Sequence, residues 1–208
     1  MNSVRDLFVT RVYAAAIAEG ADLARLLTDV EGACAMLHAD DTAGRAWCRA
    51  HGYGGYTSYG SLNDLPTRVT AFGDLKRRLD RHARIYAETI GLDLGPRGRL
   101  TLDGMWVNIL RRGAAHSGHI HPHSVISGTV YVATPPGAGA LRFEDPRLPM
   151  MMAAPNRRAD VDDSLRTFVS VTPAPGQVMM WESWLRHEVT PNHARSDRVS
   201  VSFNYSWS

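Results

Sequence analysis

Arg198-Val199-Ser200-Val201-Ser202-Phe203-Asn204-Tyr205-Ser206-Trp207 alternates polar and apolar side chains without a break. An extended chain sends successive side chains to opposite faces, so Val199, Val201, Phe203, Tyr205 and Trp207 share one side. Arg198, Ser200, Ser202, Asn204 and Ser206 share the other. This pattern specifies a strand with one buried face. The polar face has two readings: a sheet surface in water, or the wall of an interior cavity. In a cavity, Arg198 offers a planar donor fork suited to a carboxylate, and Ser200 adds a hydroxyl on the same side.

Upstream of this stretch the chain keeps the same texture as far as Leu100. Short runs rich in Val, Thr, Tyr, Phe and Trp are cut by Gly and Pro at Met105–Arg111, Ser127–Ala133, Ala140–Phe143, Arg166–Thr172 and Gln177–Trp181. Several short strands with such turn signals predict a sandwich or barrel. Asp145–Ser164 carries Pro146, Pro149, Pro155 and Met150 to Met152 and reads as a long loop of the kind that serves as a lid.

The first half reads as helical. Leu23, Leu26, Leu27, Val30, Cys34 and Leu37 recur at helical steps within Ala21–Leu37. A second helix is expected over Thr42–His51 and a Gly/Tyr-rich loop over 52–66. A third is expected over Ala71–Ile90, with an apolar stripe from Phe72 to Ile90 and Gly91 to stop it. With no repeat or linker, the chain is expected to be one domain over 1–208, residues 1–98 a mainly helical support and 99–208 the β core. Helices pack against sheets in such an architecture.

Bulk composition excludes several classes. The 208 residues are 44% hydrophobic and 21% charged, with a formal net charge of +2. No dense basic stripe suggests a nucleic-acid partner, and Lys76-Arg77-Arg78 and Arg111-Arg112 read as solvated faces. No stretch reaches the ~20 apolar residues of a membrane span, and the first residues lack a signal-peptide core. Cys34 and Cys48 form no CxxC pair; two cysteines allow one disulfide, but nothing resembles a disulfide-built scaffold. The cytoplasm is the expected compartment.

Chemistry concentrates at His116-Ser-Gly-His119-Ile-His121-Pro-His123, four of the nine histidines within eight residues. Neutral imidazole is a common ligand for iron, zinc and nickel. Alternation in an extended chain turns His119 and His121 to one point. Pro122 breaks the ladder beyond them, so His123 is expected to turn away and His116 to precede the strand. The bland alternative is a polar loop whose histidines bond backbone and water. A catalytic ion usually takes about three protein ligands, and the third candidate is His187 in Trp181-Glu-Ser-Trp-Leu-Arg-His187. Its alternative role is a hydrogen-bonded core histidine. His193 falls in an exposed turn.

These residues resemble the 2-oxoglutarate- and iron(II)-dependent oxygenases. That superfamily shows His-x-Asp/Glu, a distant His and, about ten residues on, an Arg-x-Ser. Here His119-Ile-His121, His187 and Arg198-Val199-Ser200 stand in those places. A branch of small bacterial and phage oxygenases is closer still, matching Trp106-Val107-Asn108, His119-Ile-His-Pro122, Ser127-Gly-Thr-Val-Tyr-Val132, Phe143-Glu-Asp-Pro-Arg147, Ser183-Trp-Leu-Arg-His187 and Arg198 to Asn204. The resemblance covers about residues 100–206. It implies a jelly-roll or cupin-like barrel, the double-stranded β-helix, with helices on one side. It also implies iron(II), 2-oxoglutarate and O2, with His119, His121 and His187 on the metal. Arg198 and Ser200 would hold the far carboxylate of 2-oxoglutarate, and Asn108 and Tyr131 are candidates to bond it from neighbouring strands.

One departure matters. His121 stands where the superfamily usually has a carboxylate. Three neutral imidazoles leave the site one charge more positive, which favours an anionic chelator. The alternatives are that Glu144 or Asp145 supplies a carboxylate, or that His116 or His123 takes the place of one of the three ligands. Two rival functions remain: a cupin-type metalloenzyme without 2-oxoglutarate, and a non-catalytic metal- or ligand-binding module. The expected partner is a small-molecule or peptide substrate, with no nucleic acid or membrane, and a homodimer is possible. The loops around Tyr53–Tyr59 and Met150–Met152 are candidates to cover the cavity.

Overall fold

The computed structural model describes residues 3–208. Its elements run β1 (Tyr13–Ala16), α1 (Gly20–Asp40), α2 (Thr42–Ala50), β2 (Gly55–Thr57), α3 (Leu65–Arg68), α4 (Thr70–Thr89), β3 (Leu100–Leu110), β4 (His116–His119), β5 (Ile126–Ala133), β6 (Leu141–Glu144), β7 (Phe168–Val171), β8 (Gln177–Glu182), β9 (His187–Val189) and β10 (Arg198–Trp207). Two short 3-10 turns, Leu148–Met150 and Asp163–Leu165, interrupt the long loop.

The strands form two antiparallel sheets, one of six strands in the order β1-β8-β5-β10-β3-β2, the other of four in the order β4-β9-β6-β7. From β3 to β6 the chain crosses from one sheet to the other at each step, and again from β7 to β10. That winding is the jelly roll expected from the resemblance, realised as two facing sheets.

The helices cover one face of the larger sheet. The stripe on α4 buries Phe72, Leu75, Leu79, Ala83 and Tyr86 almost completely. Each large side chain so buried is worth about 1.5–3 kcal/mol. The stripe lies in one core with Leu26 and Val30 of α1 and with Val107, Val130, Met180, Val201, Phe203 and Tyr205 of the sheet. Tyr205 also donates from its hydroxyl to Asp80 at 2.8 Å, which fixes α4 against β10. Gly91 sits at φ +74°, the left-handed conformation that ends a helix cheaply. Asp41 caps α2, its carboxylate accepting from the Gly44 amide at 2.8 Å.

Some expectations need correction. The loop expected over 52–66 contains β2 and the start of α3, and β1 is a strand the sequence pattern does not announce. The strand expected from Met105 begins at Leu100. Trp207 is 57% exposed, because the end of β10 runs past the helical cover. Cys34 and Cys48 are both buried and both free. Among the described residues, no helix is long and apolar enough to cross a membrane.

Candidate metal centre

The inner faces of the two sheets enclose a narrow cavity. Trp106, Asn108, Thr129, Trp181, Arg198, Ser200 and Ser202 line it from the larger sheet, and His116, His119, Leu141, His187 and Val189 from the smaller. His121 reaches the same cavity from the loop after β4. The polar face of β10 is thus interior: Arg198 and Ser200 are each 2% exposed.

The metal-ligand set predicted from sequence comes together. His119, His121 and His187 present ring nitrogens that all lie within 4.8 Å of one another. Strand pairing explains two of them, since His119 on β4 lies opposite His187 on β9. His121 arrives by a different route from the one expected. The strand ends at His119, and the loop is tied down by the amide of His121 donating to Ser183 O at 2.9 Å. Among the described residues no carboxylate joins this group. Glu144 pairs with Arg186 at 3.2 Å and Asp145 with Arg147 at 2.8 Å, so both carboxylates are engaged outside the histidine group.

The three rings suit a divalent ion. The Nδ1 atoms of His119 and His187 lie 2.7 Å from Ser117 O and 2.8 Å from Leu185 O. A ring that donates from Nδ1 keeps the Nε2 lone pair for a metal. Nδ1 of His121 lies 3.4 Å from the Asn204 amide, and Ser127 Oγ donates to Asn204 Oδ1 at 2.8 Å. An amide can present either end to a ring; presenting its oxygen would fix the same tautomer in His121. Burial holds the imidazoles neutral, pushing His121 down to about 4 and His187 to about 3. Nitrogens bound about 2.1 Å from one ion stand about 3 Å apart, so an ion bound here would draw the three rings together.

Facing them is a buried cation without a buried anion. Arg198 donates from Nε to Gly139 O at 3.1 Å and from Nη1 to Ser200 Oγ at 3.0 Å, and its guanidinium lies 5.2 Å from the Tyr131 ring centre. Among the described residues no carboxylate pairs with it. Nearby polar atoms are also unsatisfied: Asn108 Oδ1, Tyr131 Oη, Tyr53 Oη and Trp181 Nε1 are buried with no hydrogen-bond partner. Asn108 keeps only the bond from its Nδ2 to Ser202 Oγ, at 3.0 Å. Buried polar groups are normally paired, and of these Asn108 and Trp181 line the cavity, so its wall holds an unused acceptor and an unused donor.

His116, expected to precede the strand, instead opens β4. Two residues, Ser117 and Gly118, oppose the single Glu188 between the paired positions His116–Val189 and His119–His187. This bulge turns His116 to the same face as His119, and the rings stack at 4.5 Å and 17°. The lid candidates divide. Met150 and Met152 are 74% and 92% exposed and do not line the cavity. Tyr53 packs edge-on against His116 at 5.8 Å, whereas Tyr56 is a core residue bonded to Asp41.

Residues 104–204, just under half the chain, match the family described as "Putative 2OG-Fe(II) oxygenase". No curated protein matches the sequence. Among solved structures, a Pseudomonas putida prolyl-4-hydroxylase is 16% identical, with a TM-score of 0.57 over 95% of this chain and 89% of its own. The non-haem alpha-ketoglutarate-dependent epimerase SnoN from nogalamycin biosynthesis is 16% identical, with a TM-score of 0.60 over 95% and 76%. HygX from Streptomyces hygroscopicus, solved with nickel and 2-oxoglutarate, is 15% identical, with a TM-score of 0.55 over 95% and 82%. At such identities these structures speak for the fold. The family match speaks for more, because every residue lining the cavity falls inside it. Over this cavity-bearing segment the chain matches the 2-oxoglutarate- and iron(II)-dependent oxygenases, a family that works with iron(II), 2-oxoglutarate and O2.

Proposed function

We propose that His119, His121 and His187 hold the iron(II), and that Arg198 and Ser200 bind the far carboxylate of 2-oxoglutarate. The observation that carries this assignment is Arg198: a cation 2% exposed, without a carboxylate partner among the described residues, in the same cavity as the three imidazoles. An unpaired buried charge costs several kcal/mol, and a dicarboxylate that also reaches the metal removes that cost. Iron(II) with 2-oxoglutarate supplies the chemistry: oxidative decarboxylation by O2 gives succinate and carbon dioxide and oxidises a substrate by two electrons.

The chain's own residues position and enclose. Arg198 and Ser200 fix one end of the diacid, and the unpaired Tyr131 hydroxyl and Asn108 carbonyl oxygen flank its path. The hydroxyl can donate to a carboxylate oxygen directly. The Asn108 carbonyl only accepts, so it needs its amide turned or a bridging water. Trp181, its ring 4.6 Å from His187, and Trp106, 5.9 Å from His121, shield the centre from water. Three neutral ligands leave the ion's full double charge for the anionic chelator.

The reading is tested with purified protein, iron(II), ascorbate and 2-oxoglutarate. Succinate should form slowly without any added substrate, and His187→Ala should abolish both metal binding and turnover. Iron-loaded protein that neither binds nor consumes 2-oxoglutarate would refute it, as would a His187→Ala variant with unchanged metal affinity.

A further inference from the structure

We propose that His116 is a fourth functional imidazole, donating a hydrogen bond to an oxygen of the bound 2-oxo acid between the metal centre and Arg198. The inference rests on the proposed site above and adds a residue to it.

Position comes first. Asn204, toward one end of the polar face of β10, meets His121 at 3.4 Å, and Arg198 lies six residues toward the other end. Six residues of strand span about 20 Å. His116 pairs with Val189, and Val189 pairs with Leu141, two residues after the Gly139 carbonyl that Arg198 holds, so along the cavity His116 lies on the Arg198 side of the triad. The β4 bulge turns its ring inward, where it forms part of the cavity wall.

Orientation comes second. The ring is held on two sides, stacked on His119 at 4.5 Å and edge-on to Tyr53 at 5.8 Å. Among the described residues, neither of its nitrogens has a hydrogen-bond partner. A neutral imidazole has one N–H to donate, and a ring fixed in place but unbonded is set up to donate it to a ligand. His116 does not belong to the group whose nitrogens lie within 4.8 Å of one another. A ring stacked nearly parallel behind His119 is placed to touch what the metal holds, not the metal.

The test is calorimetric titration of the full chain, first with nickel(II), then of the nickel-loaded protein with 2-oxoglutarate. His116→Phe keeps the stacking and removes the donor; His116→Gln keeps a donor. The expected result for His116→Phe is nickel affinity within about threefold of wild type and 2-oxoglutarate affinity about tenfold weaker, the value of one hydrogen bond to a charged group. His116→Gln should recover most of the loss. Unchanged 2-oxoglutarate affinity in His116→Phe overturns the inference. So does nickel affinity that falls by the same factor, because the residue then acts through His119. If wild-type protein binds nickel but not 2-oxoglutarate, the oxygenase site itself fails. If it binds both, and Arg198→Met weakens 2-oxoglutarate while His116→Phe does not, only the role of His116 fails.

Discussion

Replacing Arg198 with methionine should move stability and ligand affinity in opposite directions. The side chain is 2% exposed and makes two hydrogen bonds, to Gly139 O at 3.1 Å and Ser200 Oγ at 3.0 Å. Losing them costs about 1 kcal/mol each, and the contact with the Tyr131 face about 1 kcal/mol more. Against this, methionine fills similar space without the several kcal/mol needed to keep an unpaired ion out of water. The ligand-free variant should therefore be as stable as wild type or up to ~4 kcal/mol more stable. At roughly 2–4 °C per kcal/mol for a chain of this length, its midpoint should hold or rise. Binding of 2-oxoglutarate loses at least one charge-assisted bond, about 1.5–3 kcal/mol or 10- to 150-fold in Kd. Thermal unfolding of metal-free protein and titration of nickel-loaded protein measure the two effects. A midpoint lowered by more than about 10 °C, equivalent to several kcal/mol, would show that Arg198 is there for the fold. An unchanged Kd would show that it does not bind the diacid.

Other outcomes follow from the same geometry. Burial pushes His116 and His121 down to about 4 and His187 to about 3, whereas unfolded histidines titrate near 6.5. The unfolded chain therefore takes up these protons first. Metal-free stability should be full above about pH 6.5 and fall toward pH 4 by up to about 1.4 kcal/mol per pH unit for each histidine; an unfolding midpoint that stays level from pH 7 to 5 would contradict this. His121→Asp should still bind nickel but weaken 2-oxoglutarate by about tenfold or more, since one charge at ~5 Å and an effective dielectric of ~20 is worth ~3 kcal/mol before screening. Two affinities equal to wild type would remove His121 from the ligand set. A Cβ at Gly128 would lie 2.5 Å from Met179 O and clash with the Phe203 ring. Gly128→Ala should thus cost about 1–3 kcal/mol, and an unshifted melting point would show that the sheet gives way freely.

The helices were legible because each follows one period. The α4 stripe from Phe72 to Tyr86 needs only a 3.6-residue repeat and a stop at Gly91. The strand β10 was legible for the same local reason, and Arg198 with it. What a single sequence hides is pairing. Tyr-Ala-Ala-Ala at β1 has no pattern of its own and becomes a strand only beside β8. His116 faces inward only because two residues of β4 stand against one of β9. The parity argument brought His119 and His121 together correctly but by the wrong route, since His121 is set by a loop tied to Ser183 and not by a continuing ladder. Motif resemblance names both histidines because it records the outcome of such pairings without needing the geometry.

One strand forms the partition between the two halves of the molecule. On its polar side β10 carries Arg198, Ser200 and Asn204; on its apolar side Val201, Phe203 and Tyr205 meet the helices. A protein engineer who trimmed this chain to the residues that carry its motifs, from about 100 onward, would strip the backing from that partition and expose those three side chains to water. The lost burial, about 1.5–3 kcal/mol for each large side chain, is comparable to a whole domain's margin of about 5–15 kcal/mol. A transplantable catalytic module must therefore keep its helical half, although that half supplies none of the proposed metal ligands.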